Sequence, residues 1–173
     1  SIETIEDSIK SEIKEDVTYE IKIFTSCKDL LVDCILPCEE DTICINSCSK
    51  NTSTDILQQA KNFLDCINNN CKDMKTDSIS YLFCLKNSCF NQFNTCASGD
   101  KKCLDIYQCV SECSIDEYYC FLLCLTYGNY DAQNLFLGLY ECYYNQCKDS
   151  LNDEISFKLC TNNTNGNECS NLF

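Results

Sequence analysis

Nineteen cysteines in 173 residues occur in two sets with the same order, and this duplication constrains the fold more than any other feature. Moved by 76 positions, Cys27, Cys44, Cys48, Cys66, Cys71 and Cys84 fall on Cys103, Cys120, Cys124, Cys142, Cys147 and Cys160. Cys34 and Cys38 fall one residue away from Cys109 and Cys113, and Cys96 corresponds loosely to Cys169. Other residues keep the register: Lys72-Asp73 falls on Lys148-Asp149, Asp55 on Asp131, and Ile79-Ser80-Tyr81 on Ile155-Ser156-Phe157. A shared register of this kind marks an internal duplication. It predicts an N-terminal arm over 1–26, a first cysteine-rich repeat over 27–99 and a second over 100–173.

The repeats read as helical. One proline and four glycines leave few breakers, which argues against a turn-rich sandwich or barrel. After Asp55, a plausible cap, Ile56, Leu57, Ala60, Phe63, Leu64, Ile67 and Cys71 recur at intervals of three and four. The counterpart stretch has Asp131, then Leu135, Phe136, Leu139, Tyr143 and Cys147. Asp77 and Asp100 are expected to open two further helices. Ser114-Ile115-Asp116-Glu117 has the capping-box form, with Gly128 as the expected stop. Each repeat therefore predicts about four short helices, with linkers near 49–54 and 96–100. The fold class is all-α and disulfide-rich.

The tightest motif is a twin Cys-x3-Cys. It comprises Cys34, Cys38, Cys44 and Cys48 in the first repeat, and Cys109, Cys113, Cys120 and Cys124 in the second. Cysteines four apart share a helical face, so an antiparallel helix pair is stapled twice. The expected inner bridges are Cys38–Cys44 and Cys113–Cys120, and the expected outer bridges are Cys34–Cys48 and Cys109–Cys124. The rival reading is a four-thiolate zinc site, which the number of remaining cysteines disfavours. Nineteen is odd, so one thiol lacks an intrachain partner. Cys89 is the candidate for a free or intermolecular thiol, because its counterpart is Asn165.

Cysteine at this density belongs to oxidising compartments. No signal peptide is visible at Ser1, and no apolar run reaches the roughly 18 to 20 residues of a membrane helix. A processed protein, secreted or held at the cell surface and lacking a transmembrane segment, is expected. Asn51-Thr52-Ser53 and Asn162-Asn163-Thr164 are glycosylation sequons in polar linkers, so Asn51 and Asn162 are candidate glycan acceptors. Each bridge adds roughly 2 to 4 kcal/mol to a total stability of roughly 5 to 15. Nine bridges exceed what folding requires, which points to service under proteolysis, mechanical load or a harsh medium.

Twenty-seven acidic residues against thirteen lysines give a net charge of −14, and the chain has no arginine, histidine or tryptophan. An acidic surface without guanidinium forks repels nucleic acid, which is set aside as a partner. Triads that use an imidazole to move protons near neutral pH are excluded. No redox Cys-x2-Cys, Gly-rich phosphate loop or Ca²⁺ loop is present, so neither an enzyme nor a bound cofactor or metal is expected.

The many-cysteine helical pattern across 27–169, with its Cys-x3-Cys and Cys-x4-Cys spacings and acidic, Asn-rich, Arg-free composition, resembles secreted and surface cysteine-rich proteins of ciliated protozoa. Their water-borne pheromones are disulfide-stapled helical bundles. The resemblance implies a secreted or surface role and carries over no binding residue.

The arm is the only long stretch without cysteine. Ile2, Ile5, Ile9, Ile13, Val17, Ile21 and Phe24 trace one apolar stripe on an expected helix of about six turns. After Cys84 the first repeat continues through Leu85, Phe90 and Phe93, whereas after Cys160 the second becomes polar. The expectation is a non-enzymatic structural subunit that self-associates head to tail into an extracellular filament or coat. In that assembly the arm docks either on its own chain or on the second repeat of the next copy. The alternative is a soluble, pheromone-like ligand or surface antigen recognised by a receptor.

Overall fold

The computed structural model describes residues 22–39, 41–151 and 153–164, and among these it contains helices and no strand. Helix α1 (Cys27–Leu30) runs on through a π-helical stretch, Leu31–Ile35, and a 3-10 turn, Leu36–Cys38. Helices α2 (Thr42–Cys48) and α3 (Thr54–Asn70) follow. Helix α4 (Ser78–Cys84) continues through a second π-helical stretch, Leu85–Cys89, into α5 (Phe90–Cys96). The remaining helices are α6 (Cys103–Val110), α7 (Tyr118–Leu125), α8 (Tyr130–Cys147) and α9 (Glu154–Thr164). Starts at 27, 42, 54 and 78 recur at 103, 118, 130 and 154, each 76 residues on.

Side-chain caps place these starts. Asp77 accepts the Ser80 N–H at 2.7 Å before α4, and Asp153 accepts the N–H groups of Ile155 and Ser156 at 3.2 Å before α9. Each satisfies amides that have no partner inside the helix. Three expected caps are displaced. Ser53 and Asn129 cap α3 and α8 in place of Asp55 and Asp131, which lie in the first turns. Asp100 does not open α6, whose N-cap is Lys102 with its N–H bound to Asp105 at 3.0 Å. The Ser114 box forms only in part. Glu117 accepts the Ser114 N–H at 3.2 Å, but the helix begins at Tyr118 and ends at Leu125, before Gly128.

The one-residue slip between Cys34/Cys38 and Cys109/Cys113 has a structural cause. A π-turn accommodates one more residue than an α-turn over the same rise. The π-helical stretch lies between Cys27 and Cys38, whereas α6 is regular.

Four layers stand in a row. Helix α3 packs on α5 through Phe63 and Phe93, ring centroids 5.3 Å apart, and through the Cys66–Cys89 bridge. The other side of α4–α5 packs on α8 through Phe83 stacked on Tyr144 at 4.2 Å and Phe90 on Tyr130 at 5.2 Å. Helix α8 packs on α9 through Cys147–Cys160 and Tyr143 against Phe157. The buried apolar residues form one cluster that spans the row, so the 99/100 boundary does not separate two cores.

The linker between the halves is held by backbone. The N–H of Gly99 donates to Gly128 O at 2.7 Å, and that of Lys101 to Tyr127 O at 2.8 Å. A Cβ at Gly99 would lie 2.2 Å from Tyr127 O, which requires glycine there. The parallel bridge of Lys101 with Gly128 lies one residue from the counterpart of that of Phe24 with Thr52, so the chain enters the two halves in a similar way.

Phe24 does not lie on the expected arm helix. Residues 22–25 are extended, Phe24 is buried in the chain's own core, and Lys22 pairs with Asp33 at 2.9 Å. Ile2, Ile5, Ile9, Ile13, Val17 and Ile21 lie outside the described residues.

Candidate functional site

The disulfides come first, because they fix every other surface. The structure joins Cys34 to Cys48, Cys38 to Cys44, Cys109 to Cys124 and Cys113 to Cys120. The sulfurs of Cys113, Cys120 and Cys124 lie within 4.8 Å of one another, but all three are bridged and none is a thiolate able to hold zinc. Further bridges are Cys27–Cys96, Cys66–Cys89, Cys71–Cys84 and Cys147–Cys160, and Cys142 is also disulfide-bonded.

Cys89 is therefore not the odd thiol. It is buried at the end of the second π-helical stretch and bridged to Cys66. The free cysteine among the described residues is Cys103, buried at the start of α6. Its counterpart Cys27 is bridged to Cys96 in the last turn of α5. Burial without a charged partner pushes the Cys103 thiol above its ordinary value, which makes it a poor nucleophile.

Two grooves occupy corresponding places. The first, of about 440 Å³, is lined by Leu31, Ile35, Ile45, Leu64, Ile67 and Tyr81. The second, of about 250 Å³, is lined by their counterparts Tyr107, Ser111, Phe121, Tyr140, Tyr143 and Phe157. The second half forms a wall of the first groove, where the Lys75 ammonium stands 5.7 Å from the centre of the Tyr118 ring. In the second groove, burial first and then the neighbouring Tyr107 push the Tyr140 and Tyr143 phenols up, so both stay neutral. Glu39 and Lys75 also line the first groove, and Lys158, Thr161 and Asn162 the second, so both combine apolar and polar walls.

The largest difference between the halves lies on the fourth helix. Ile79 on α4 is 1% exposed because the second half covers it, whereas its counterpart Ile155 on α9 is 71% exposed. Phe83 is stacked on Tyr144, whereas its counterpart Leu159 is 59% exposed. Ile155 and Leu159 are four apart and share one face. Among the described residues, the row of helices thus ends with Ile155 and Leu159 exposed side by side on α9. Sequence periodicity did not single these residues out, but comparing the halves position by position would have done so.

Only the first sequon lies in a linker between helices. Asn162 is exposed on α9 itself, and Asn51 ends a 3-10 turn between α2 and α3. Among the described residues no helix is long and apolar enough to cross a membrane. No family model, curated protein or solved structure matches the chain.

Proposed function

We propose that the chain is a non-enzymatic, secreted structural subunit that self-associates into an extracellular filament or coat. One observation carries this reading: a row of helices built by repetition that, among the described residues, ends with Ile155 and Leu159 exposed on its last helix. A repeat cannot cover its fourth helix alone, and in this chain the first half is covered only because the second follows. The density of bridges supports an extracellular setting, and the absence of imidazole from the whole chain supports a non-catalytic role.

Sedimentation velocity and electron microscopy of the oxidised protein, over a wide concentration range, test the reading. Assembly should grow with concentration and should not need reducible links between chains. A chain that stays monomeric at high concentration favours the soluble-ligand reading instead, with the two grooves as receptor contacts.

A further inference from the structure

The two grooves stand at matched places but differ in what fills them. Moved by 76 positions, Leu31, Ile45, Leu64 and Ile67 of the first fall on Tyr107, Phe121, Tyr140 and Tyr143 of the second. The second half thus fills its groove with four of its own rings, and about 250 Å³ remains. The first half has aliphatic side chains there, and about 440 Å³ stays open. Phe63, for Leu139, returns one ring, and Tyr81 corresponds to Phe157. Folded chains pack their interiors closely, so a groove that one half fills and the other leaves open is room for an apolar group from outside. The larger volume lies within the roughly 300 to 1,000 Å³ of small-molecule sites.

The open groove is held in shape. Cys34–Cys48 and Cys38–Cys44 staple α2 to the segment before it, and Cys71–Cys84 ties the end of α3 to α4. Tyr118, Tyr119 and Leu122 of α7 form the wall that the second half adds. A site framed in this way has little to order when a ligand enters. Two charged groups line it. The Lys75 ammonium stands against the Tyr118 ring, and Glu39 is exposed at the rim. Among the described residues Glu39 is the one non-glycine with a positive φ, 54°. It lies in the shorter of two matched loops, since Cys38 and Cys44 are 6 positions apart and Cys113 and Cys120 are 7. Glycine would adopt that conformation without strain, yet the position carries a carboxylate, with Asp41 two residues on. The second groove has Ile115 at the matched place.

We infer that the first groove binds a small ammonium compound with an apolar body. The body lies on Leu31, Leu64 and Ile67, in the space that rings occupy in the second half, and the ammonium meets the Glu39 carboxylate at the rim. Charge selects the head group. A chain with a net charge of −14 concentrates cations near its surface and repels carboxylates. Lys75 favours the opposite head group, so the preference between the two signs is what an experiment must read. The site belongs to the single chain and does not rest on assembly.

The test titrates the full-length oxidised protein with octylammonium, octanol and octanoate, which share one chain and differ in head group. Shifts of the Tyr81 and Tyr118 ring signals in NMR spectra report binding. Octylammonium should bind about two- to fivefold more tightly than octanol, the worth of an exposed ion pair, and octanoate more weakly than octanol. Glu39→Gln should bring octylammonium to the affinity of octanol. Leu64→Tyr installs the residue that the second half has at the matched position and should abolish binding of all three. Circular dichroism and bridge mapping show whether that variant folds. Glu39 is exposed, so Glu39→Gln leaves the core intact and decides the matter if Leu64→Tyr does not fold. Octanoate binding as tightly as octylammonium would place the head group at Lys75 and overturn the inference. Octylammonium binding undiminished to a folded Leu64→Tyr would mean that the acidic surface holds it, and the groove would be excluded. No shift with any of the three probes overturns the inference as well.

Discussion

At the scale of residues, the odd thiol shows what the sequence offered and how it misled. Looking for the cysteine without a counterpart selects Cys89, whereas the free thiol is Cys103, which has a counterpart in Cys27. The first half holds ten cysteines, and all ten pair within it. The second half holds nine and must contain the orphan. The missing counterpart of Cys89 would strand Cys142, the counterpart of Cys66, yet Cys142 is bonded and Cys103 is left free. Buried and held protonated, Cys103 should resist alkylation in the native state and react once the chain is unfolded without reduction. Peptide mass spectrometry should place that label on Cys103. Rapid native labelling would contradict the burial, and label on Cys89 would contradict its bridge.

Among elements, local chemistry gave helix type and much of the bridging, because four-residue spacing puts cysteines and core residues on one face. Boundaries moved by a few residues where two capping side chains competed, as Ser53 with Asp55 and Asn129 with Asp131. The packing between halves was not legible from either repeat alone. Gln133 shows why. It is fully buried, donates to Ala97 O at 2.7 Å and to Leu125 O at 2.9 Å, and accepts from Asn94 at 2.9 Å. Its counterpart Leu57 is only partly buried on α3, so a polar residue does buried work at the seam where its counterpart is aliphatic at the edge. Replacing Gln133 with Ala leaves two buried carbonyls without these donors and should cost about 1–3 kcal/mol in reversible denaturation with the bridges intact. A loss near zero would mean that the seam does not depend on this latch. The aliphatic Gln133→Leu should lose nearly as much, since both carbonyls again lose the Gln133 donor and Leu125 O keeps only the Gly128 N–H.

For the whole molecule, the seam and the ends differ in charge at matched positions. Leu82 and Leu137 are buried at the seam, and their counterparts Lys158 and Lys61 are exposed at the two ends of the row. These two pairs mark where the halves meet and where they stop, whereas Lys28 falls on Leu104, which is itself exposed. This comparison, rather than periodicity, separates one continuous row from two independent modules. It also shapes the last prediction. Copies with a net charge of −14 repel, while the exposed Ile155 and Leu159 on α9 offer an apolar contact. The Debye length falls from about 30 Å at 0.01 M salt to about 8 Å at 0.15 M, which screens repulsion between acidic bodies and leaves apolar burial nearly unchanged. Assembly should therefore strengthen with salt, with sedimentation midpoints moving severalfold to lower protein concentration between those two conditions. If assembly weakens instead, attraction between opposite charges dominates. Lys158, exposed on α9 beside Ile155 and Leu159, would then be the residue to replace first.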